Sequence, residues 1–302
     1  EGGVIFRLRM LIPIIIVDLL LYIYGLFSYV FFLRFSSLGK DPNFKSQPLL
    51  IMGNGPSLSS DIPSIIKRRP EVRVCAVNYF ANNELFVQLR PDFYVLADPI
   101  FWRQDIGTQH KESNQQLIEN LLQVSWDMTI ICPEQGFDFF SNILQGNVNI
   151  KIERVKDNWM DFRSDFFSVL ALRSSFFTPN FVNVLILALW SGITKGFCEI
   201  EIYGADFSSF ETLNVDQDSN HVTVGTRHFY SKDDVKVVMQ EKYPGEKVKL
   251  IHTRFYQIAL GFKQMYLLSK LAERKKVSVL NGSAFSYLDC FDRVQSSSND
   301  SY

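Results

Sequence analysis

Histidine and cysteine are scarce in this chain, four of each in 302 residues. Cys75, Cys132, Cys198 and Cys290 are scattered without a Cys-x-x-Cys pair, and three lie in or beside apolar runs where a thiol packs as a small hydrophobe. This usage reads as a reducing compartment. The histidines show no metal-ligand spacing, so no zinc site is expected. Charge of one sign is lacking as well. With 31 basic and 32 acidic residues the net charge is -1, too little to hold a phosphate polymer along a surface, which argues against a nucleic-acid partner. Also absent are the Gly-x-Ser-x-Gly elbow, the His-Glu-x-x-His helix, and a strand-end Asp-x-Asp that would hold a metal-bound nucleotide; Asp216-Gln217-Asp218 matches the last only formally.

Apolar and aromatic residues are plentiful. A hydrophobic fraction of 47%, with 27 Phe and 12 Tyr, excludes a disordered chain and supplies a large aromatic core. The longest apolar run is MLIPIIIVDLLLYIYGLFSYVFFL, Met10 to Leu33, with Asp18 as its one charge. At 1.5 Å per residue its length is roughly 36 Å, enough to cross a bilayer. It ends Phe-Phe-Leu-Arg34 rather than at small residues, unlike a cleaved signal peptide, and is apolar on all faces, unlike a helix packed by one stripe. The reading is a membrane anchor over residues 10–34, after a flank at 1–9. Arg7 and Arg9 before it, against Arg34, Lys40 and Lys45 after it, tilt the following domain toward the cytoplasm.

A polar linker, 35–47, with Gly39 and Pro42 precedes a domain expected over 48–292; Ser-rich residues 293–302 read as a disordered tail. Within the domain, buried-type strands are expected at LLIMG, Val72 to Asn78, Asp92 to Asp98, Met128 to Pro133, Cys198 to Asp206 and Lys276 to Gly282. Helical patterns lie at Ile62 to Arg69, Asn83 to Leu89, Asn114 to Gln123, Asn180 to Trp190, Ser231 to Gln240 and Thr253 to Glu273. Their alternation predicts an α/β, Rossmann-like fold, a mostly parallel sheet with helices on both faces, whose ligands gather at the strands' carboxyl ends. Gly204 to Tyr230 lacks either period and reads as a long loop over those ends.

The first strand runs into Gly53-Asn54-Gly55-Pro56-Ser57. Two glycines that can take positive φ, followed by a helix start at Pro56 or Ser57, would aim backbone N–H groups and a helix dipole at an anion. The turn lacks the third glycine of a dinucleotide fingerprint and the Gly-Lys-Ser/Thr of a P-loop. Asn78 and Asp98, at the ends of the second and third strands, are expected to converge on the same crevice, where an amide suits a base edge and a carboxylate suits sugar hydroxyls. His221 and His228 fall in the long loop beside Asp216, Asp218, Asp233 and Asp234, where a neutral imidazole can act as general base. His110 and His252 read as structural.

From Pro48 to about Asn281, the order GNGPSL, VCAVNYF, YGADF and a histidine loop before Ser-Lys-Asp resembles the bacterial sialyltransferases of glycosyltransferase family 42. The first motif also resembles a broader family that includes motility-associated glycosyltransferases and an archaeal pterin diphosphokinase. The resemblance implies that Gly53, Asn54, Gly55, Ser57 and Asn78 hold a cytidine nucleotide. It implies donor or substrate contacts at Asp98, Thr178, Asn180, Asp206, Ser208 and Tyr230. The family has an asparagine at the position of Asp98 and Thr-Ser-Gly at that of Thr178-Pro179-Asn180. It has two tyrosines for the leaving phosphate where this chain has Ser208, Ser209 and Phe210. Its base is matched by His228, with His221 resembling a second histidine of that loop.

The expected activity is therefore a membrane-anchored, metal-independent, inverting glycosyltransferase taking a nucleotide sugar, CMP-sialic acid or similar, with no cofactor. Its expected partners are that donor, a glycan or glycolipid acceptor and the membrane, a homo-oligomer being left open. The expected location is a bacterial inner membrane with the domain in the cytoplasm. A pterin-kinase-type diphosphotransferase and a non-catalytic nucleotide-sugar-binding membrane subunit are the alternatives.

Overall fold

The computed structural model describes residues 2–32, 38–106, 108–174, 176–226, 229, 235–238 and 250–294. Its centre is an eight-stranded sheet in which each adjoining pair of strands is parallel. In chain order the strands are β1 (Leu49–Met52), β2 (Arg73–Val77), β3 (Phe93–Val95), β4 (Met128–Pro133), β5 (Ile150–Val155), β6 (Glu199–Tyr203), β10 (Ser278–Asn281) and β11 (Asp292–Arg293). Across the sheet the order is β11-β10-β6-β1-β2-β3-β4-β5. The helices are α1 (Gly2–Phe32), α2 (Leu58–Arg68), α3 (Leu85–Leu89), α4 (Thr108–Leu122), α5 (Glu134–Leu144), α6 (Asp165–Ser174), α7 (Val184–Lys195) and α8 (Ile251–Lys275).

The period of two within each strand divides the core into two layers. Leu49 and Ile51 of β1 join Cys75, Val77 and Ile200 against α7 and α8, whereas Leu50 and Met52 join Val74, Ala76 and Tyr94 against α2 to α5. All four residues of β1 are buried, because a central parallel strand is covered on both faces, and its sequence accordingly shows no alternation. The largely apolar α7 has the same cause: Leu185 through Lys195 are all buried. Asn183 caps its start by accepting the Leu185 N–H at 2.9 Å, and Gly196 ends it at φ 104° in the left-handed region.

One expected helix and the expected long loop take other forms. Two helices, α5 and α6, and the edge strand β5 join the anticipated set, while Val235–Val238, expected as helix, forms a strand, β9. It pairs antiparallel with β8 (Val222–Thr226), itself paired with β7 (Asn214–Val215), so the expected loop carries a small second sheet. Val222 and Val224 supply its buried face. Residues 231–234 and 239–240 of the expected helix lie outside the described residues. Arg293, placed in a tail by the sequence, belongs to β11 and donates to the carbonyls of Ser283 and Ser286. The linker is partly docked: Asp41 caps a short 3₁₀ turn, Pro42–Ser46, and Phe44 stacks on Phe197 with centroids 4.7 Å apart.

Helix α1 contains a stretch, Ile12–Val30, long and apolar enough to cross a membrane. Yet Asp18 in its middle is fully buried, accepting the N–H groups of Arg163 at 2.8 Å and Ser164 at 2.9 Å and the Ser164 hydroxyl at 2.6 Å.

A buried ion pair ties α7 to the sheet edge. Lys195 and Glu153, 4% and 2% exposed, bond each other, and Lys151 adds a second contact to Glu153 at 2.8 Å. Burial lowers the Lys195 pKa from its ordinary value against the opposing pull of Glu153. Removing one partner alone strands a charge, so Glu153→Leu is expected to destabilise the fold by about 3–5 kcal/mol, and the double variant Glu153→Leu/Lys195→Met to recover most of that loss. Denaturant unfolding of the two variants measures both.

Candidate functional site

The chain leaves β1 toward β2 on one side of the sheet and returns, after β5, to β6 on the other side of β1. The carboxyl ends of β1 and β6 are thus the place where strand order reverses and the crossover helices diverge, opening a crevice between them. A cleft of about 1070 Å³ lies there. Its floor is Gly53 to Ser57, its sides are the ends of β2 and β6, and its roof is formed from Thr212, Asn214, Val224 and Gly225 of the small sheet and its approach.

The two glycines of the turn serve close approach. Neither has a positive φ; that role falls to Gly204, at 61°. The Gly53 N–H donates to the Tyr203 carbonyl at 2.7 Å and the Gly55 N–H to the Gly204 carbonyl at 2.9 Å. A Cβ on Gly53 would strike the Gly204 carbonyl, and one on Gly55 the Asp206 carboxylate. The expected anion cradle is therefore partly filled by the protein. At the start of α2, Ser57 donates both its N–H, at 3.1 Å, and its hydroxyl to Asp206. Burial pushes the Asp206 carboxyl above its ordinary range, and the two Ser57 bonds pull it back. At the far end of α2, Arg68 makes a bidentate bond to Glu201 of β6 at 2.6 and 2.8 Å, so the helix is fastened to β6 at both ends.

Three residues that line the cleft carry buried polar atoms without a partner. Asn78 adopts φ 52°, and Tyr94 donates to its carbonyl from the core, which fixes the turn and leaves the Asn78 Oδ1 buried without a partner. Asn54 spends its Nδ2 on the Val77 carbonyl at 3.4 Å, and its Oδ1 is likewise buried and unpaired. From α8, Arg254 reaches the cleft; its Nη1 bonds Gln257 at 2.8 Å while its Nε is buried and unpaired, and burial lowers its pKa from the ordinary guanidinium value. Buried polar atoms rarely go unpaired, yet two amide oxygens and a guanidinium nitrogen do so on residues that line this one cleft. Phe207, also on the cleft, holds φ 53°, a conformation costly for a bulky side chain.

The sequence-expected residues divide into two groups. Gly53, Asn54, Gly55, Ser57, Asn78, Asp206 and Ser208 line the cleft. Asp98 does not: β3 lies two strands from β1, and the Asp98 carboxylate accepts the Ile100 N–H at 3.0 Å as a local cap. Thr178 is buried and accepts the Asn158 N–H at 3.0 Å, and the Asn180 N–H donates to Gln264 of α8 at 3.2 Å, so both serve the packing around α8 rather than the cleft. His221 is exposed at the foot of β8, in the turn closed by Asp216, and does not line the cleft. His228 and Tyr230 lie outside the described residues. Phe229, between them in sequence, donates its N–H to the Asn54 carbonyl at 3.1 Å and packs on Phe80 at 5.6 Å between centroids. Sequence reasoning missed Arg254; an arginine in the first turn of a long helix carries no spacing signal. Among the described residues no three His, Cys, Asp or Glu side chains group to hold a metal ion.

No protein-family model and no curated protein matches the chain. Among solved structures the chain is similar to the MAf glycosyltransferase from Magnetospirillum magneticum AMB-1, with 15% identity and a TM-score of 0.46 over 86% of this chain and 35% of that one. The chain thus spans about a third of the length of that protein.

Proposed function

We propose that the chain is a glycosyltransferase that takes a nucleotide sugar, CMP-sialic acid or one similar, and transfers the sugar with inversion to a glycan or glycolipid acceptor without a metal. The observation that carries this reading is the cleft at the β1–β6 switch point, with the unpaired oxygens of Asn54 and Asn78 on one side and Arg254 on another. Its volume suits a nucleotide with an attached sugar. Amide acceptors suit the exocyclic amine of a base or the hydroxyls of a ribose, and the guanidinium suits a phosphate. The sequence resemblance of the GNGPS turn, the Asn78 strand end and the YGADF strand end to sialyltransferases supports the donor class.

In this reading His228 takes the proton of the acceptor hydroxyl as the acceptor oxygen bonds to the anomeric carbon and the phosphate oxygen departs from the opposite face. The Asn54–Phe229 hydrogen bond supports that role, since Phe229 is the residue next to His228. Charge growing on the departing phosphate needs fixed donors. Ser208 and Ser209 line the cleft where the resemblance implies tyrosines, and Arg254 adds the full positive charge that those tyrosines lack. Anchorage by α1 would set the enzyme beside a lipid-linked acceptor on the cytoplasmic face of a bacterial inner membrane, where activated sugars are made.

Two sets of measurements test this. His228→Ala is expected to lower turnover about 10²–10⁴-fold with nucleotide affinity nearly intact, and transfer is expected to persist in EDTA; full activity in the variant would move the base elsewhere. Arg254→Ala is expected to weaken CMP binding about 10- to 100-fold, the loss of a charged hydrogen bond, with Arg254→Lys recovering part. Asn78→Gly, which keeps the positive φ and removes the amide, is expected to weaken it roughly 5- to 10-fold. Titration calorimetry with CMP, UDP and GDP reads both variants and identifies the base.

A further inference from the structure

We infer that α1 does not cross the membrane but enters a single leaflet, with the globular domain and the residues before Met10 on the same side. The inference rests on the membrane half of the reading above and is independent of the sugar chemistry. Asp18, Tyr22, Gly25 and Tyr29 follow one another at spacings of four, three and four, which puts them on one stripe of the helix. That stripe is docked. Asp18 accepts from the Arg163–Ser164 turn ahead of α6; Tyr22 stacks on Phe177 with centroids 5.1 Å apart; Gly25 has no room for a Cβ against the same ring; and Tyr29 meets Phe176 at 4.9 Å. The domain therefore holds the helix from Asp18 to Tyr29.

The turn that receives Asp18 carries charge that needs water. Asp161 and Arg163 are exposed, and Asp165 and Lys263 pair with each other while 44% and 45% exposed. If α1 spanned a bilayer along Met10 to Leu33, Asp18 and these groups would sit inside the hydrocarbon, where ionised side chains are costly. Keeping them in water leaves only Met10 to Val17 free to pass beyond the domain before Arg9 is met. Those residues cover about 12 Å, less than half of the roughly 30 Å hydrocarbon thickness. The helix cannot cross outside the domain.

The stripe facing away from the domain is apolar throughout: Ile12, Ile16, Leu20, Ile23, Tyr24 and Val30 are each 52–62% exposed. Phe166 and Phe176, 58% and 42% exposed, add apolar surface on the domain near the two ends of the docked segment. An exposed apolar stripe of this kind, opposite a docked side that carries Asp18, matches an element lying in the boundary between headgroups and acyl chains of one leaflet.

The test uses the full chain with Cys290→Ser and Arg7→Cys, reconstituted into phosphatidylcholine–phosphatidylglycerol vesicles and treated with a membrane-impermeant maleimide. The exposed native Cys198 reports the side of the domain, while Cys75 and Cys132 are buried. Intact mass distinguishes the two arrangements whatever the mixture of insertion directions. Same-side placement gives molecules carrying two labels or none, as expected. One label on nearly every molecule means opposite sides and overturns the one-leaflet geometry while leaving membrane attachment standing. A chain that stays off the vesicles, or pairs with a second copy through this face, overturns the inference together with the anchor. Leu20→Glu is expected to lower the vesicle-bound fraction at least tenfold with an unchanged melting transition.

Discussion

Backbone contact between the ends of β1 and β6 is the constraint on which the rest of the site depends. The Gly53 and Gly55 N–H groups reach the carbonyls of Tyr203 and Gly204 because neither glycine, nor Gly204, presents a side chain in the gap. Asp206 completes the contact by taking the N–H and hydroxyl of Ser57, which lays α2 against β6; Arg68 and Glu201 hold the other end. Each bond in this set spans more than a hundred residues of sequence, so it fixes the two halves of the sheet relative to one another. The cleft is what remains above that junction.

This arrangement shifts the recognition chemistry of the turn from its backbone to its side chains. A phosphate cradle works by offering unpaired N–H groups, and here three of them are bonded to the neighbouring strand end. What is offered is the pair of amide oxygens at Asn54 and Asn78, held by Val77 and Tyr94, and the guanidinium of Arg254. In the proposed reading, positive charge for a phosphate would come from Arg254 of α8. Such a division suits a ligand that is polar at one end and anionic at the other.

The sheet was legible because its central strands are buried on both faces: LLIM, VCAV and IICP are continuous apolar runs that no solvent-exposed segment would carry. Edge elements were not. In β5, IKIERV puts Lys151 and Arg154 in the strand, and the buried Glu153 is paired with a lysine 42 residues away, a partner no local pattern reveals. The small sheet was hidden for a related reason, since Val222 and Val224 alternate over too few residues to stand out from a polar loop. Asp98 illustrates the limit of reasoning from strand ends. A carboxylate after β3 looks like a ligand, but two strands of separation from the switch point and a free N–H two residues on make it a cap.

Asp18 is the residue at which sequence and structure differ most in meaning. Along the chain it is a blemish in a run otherwise fit to cross a bilayer; in the fold it is the acceptor for the turn that begins α6, and without it two backbone N–H groups and a hydroxyl would lose their partner. A carboxylate in that position holds α1 to the helical layer that also carries α8, and α8 supplies Arg254 to the cleft. The contacts between α6 and α8, including the Asp165–Lys263 pair, connect the apolar face to the wall that bears the guanidinium. A membrane surface bound by α1 would thereby set the height and tilt of the cleft through rigid helices rather than through a flexible tether.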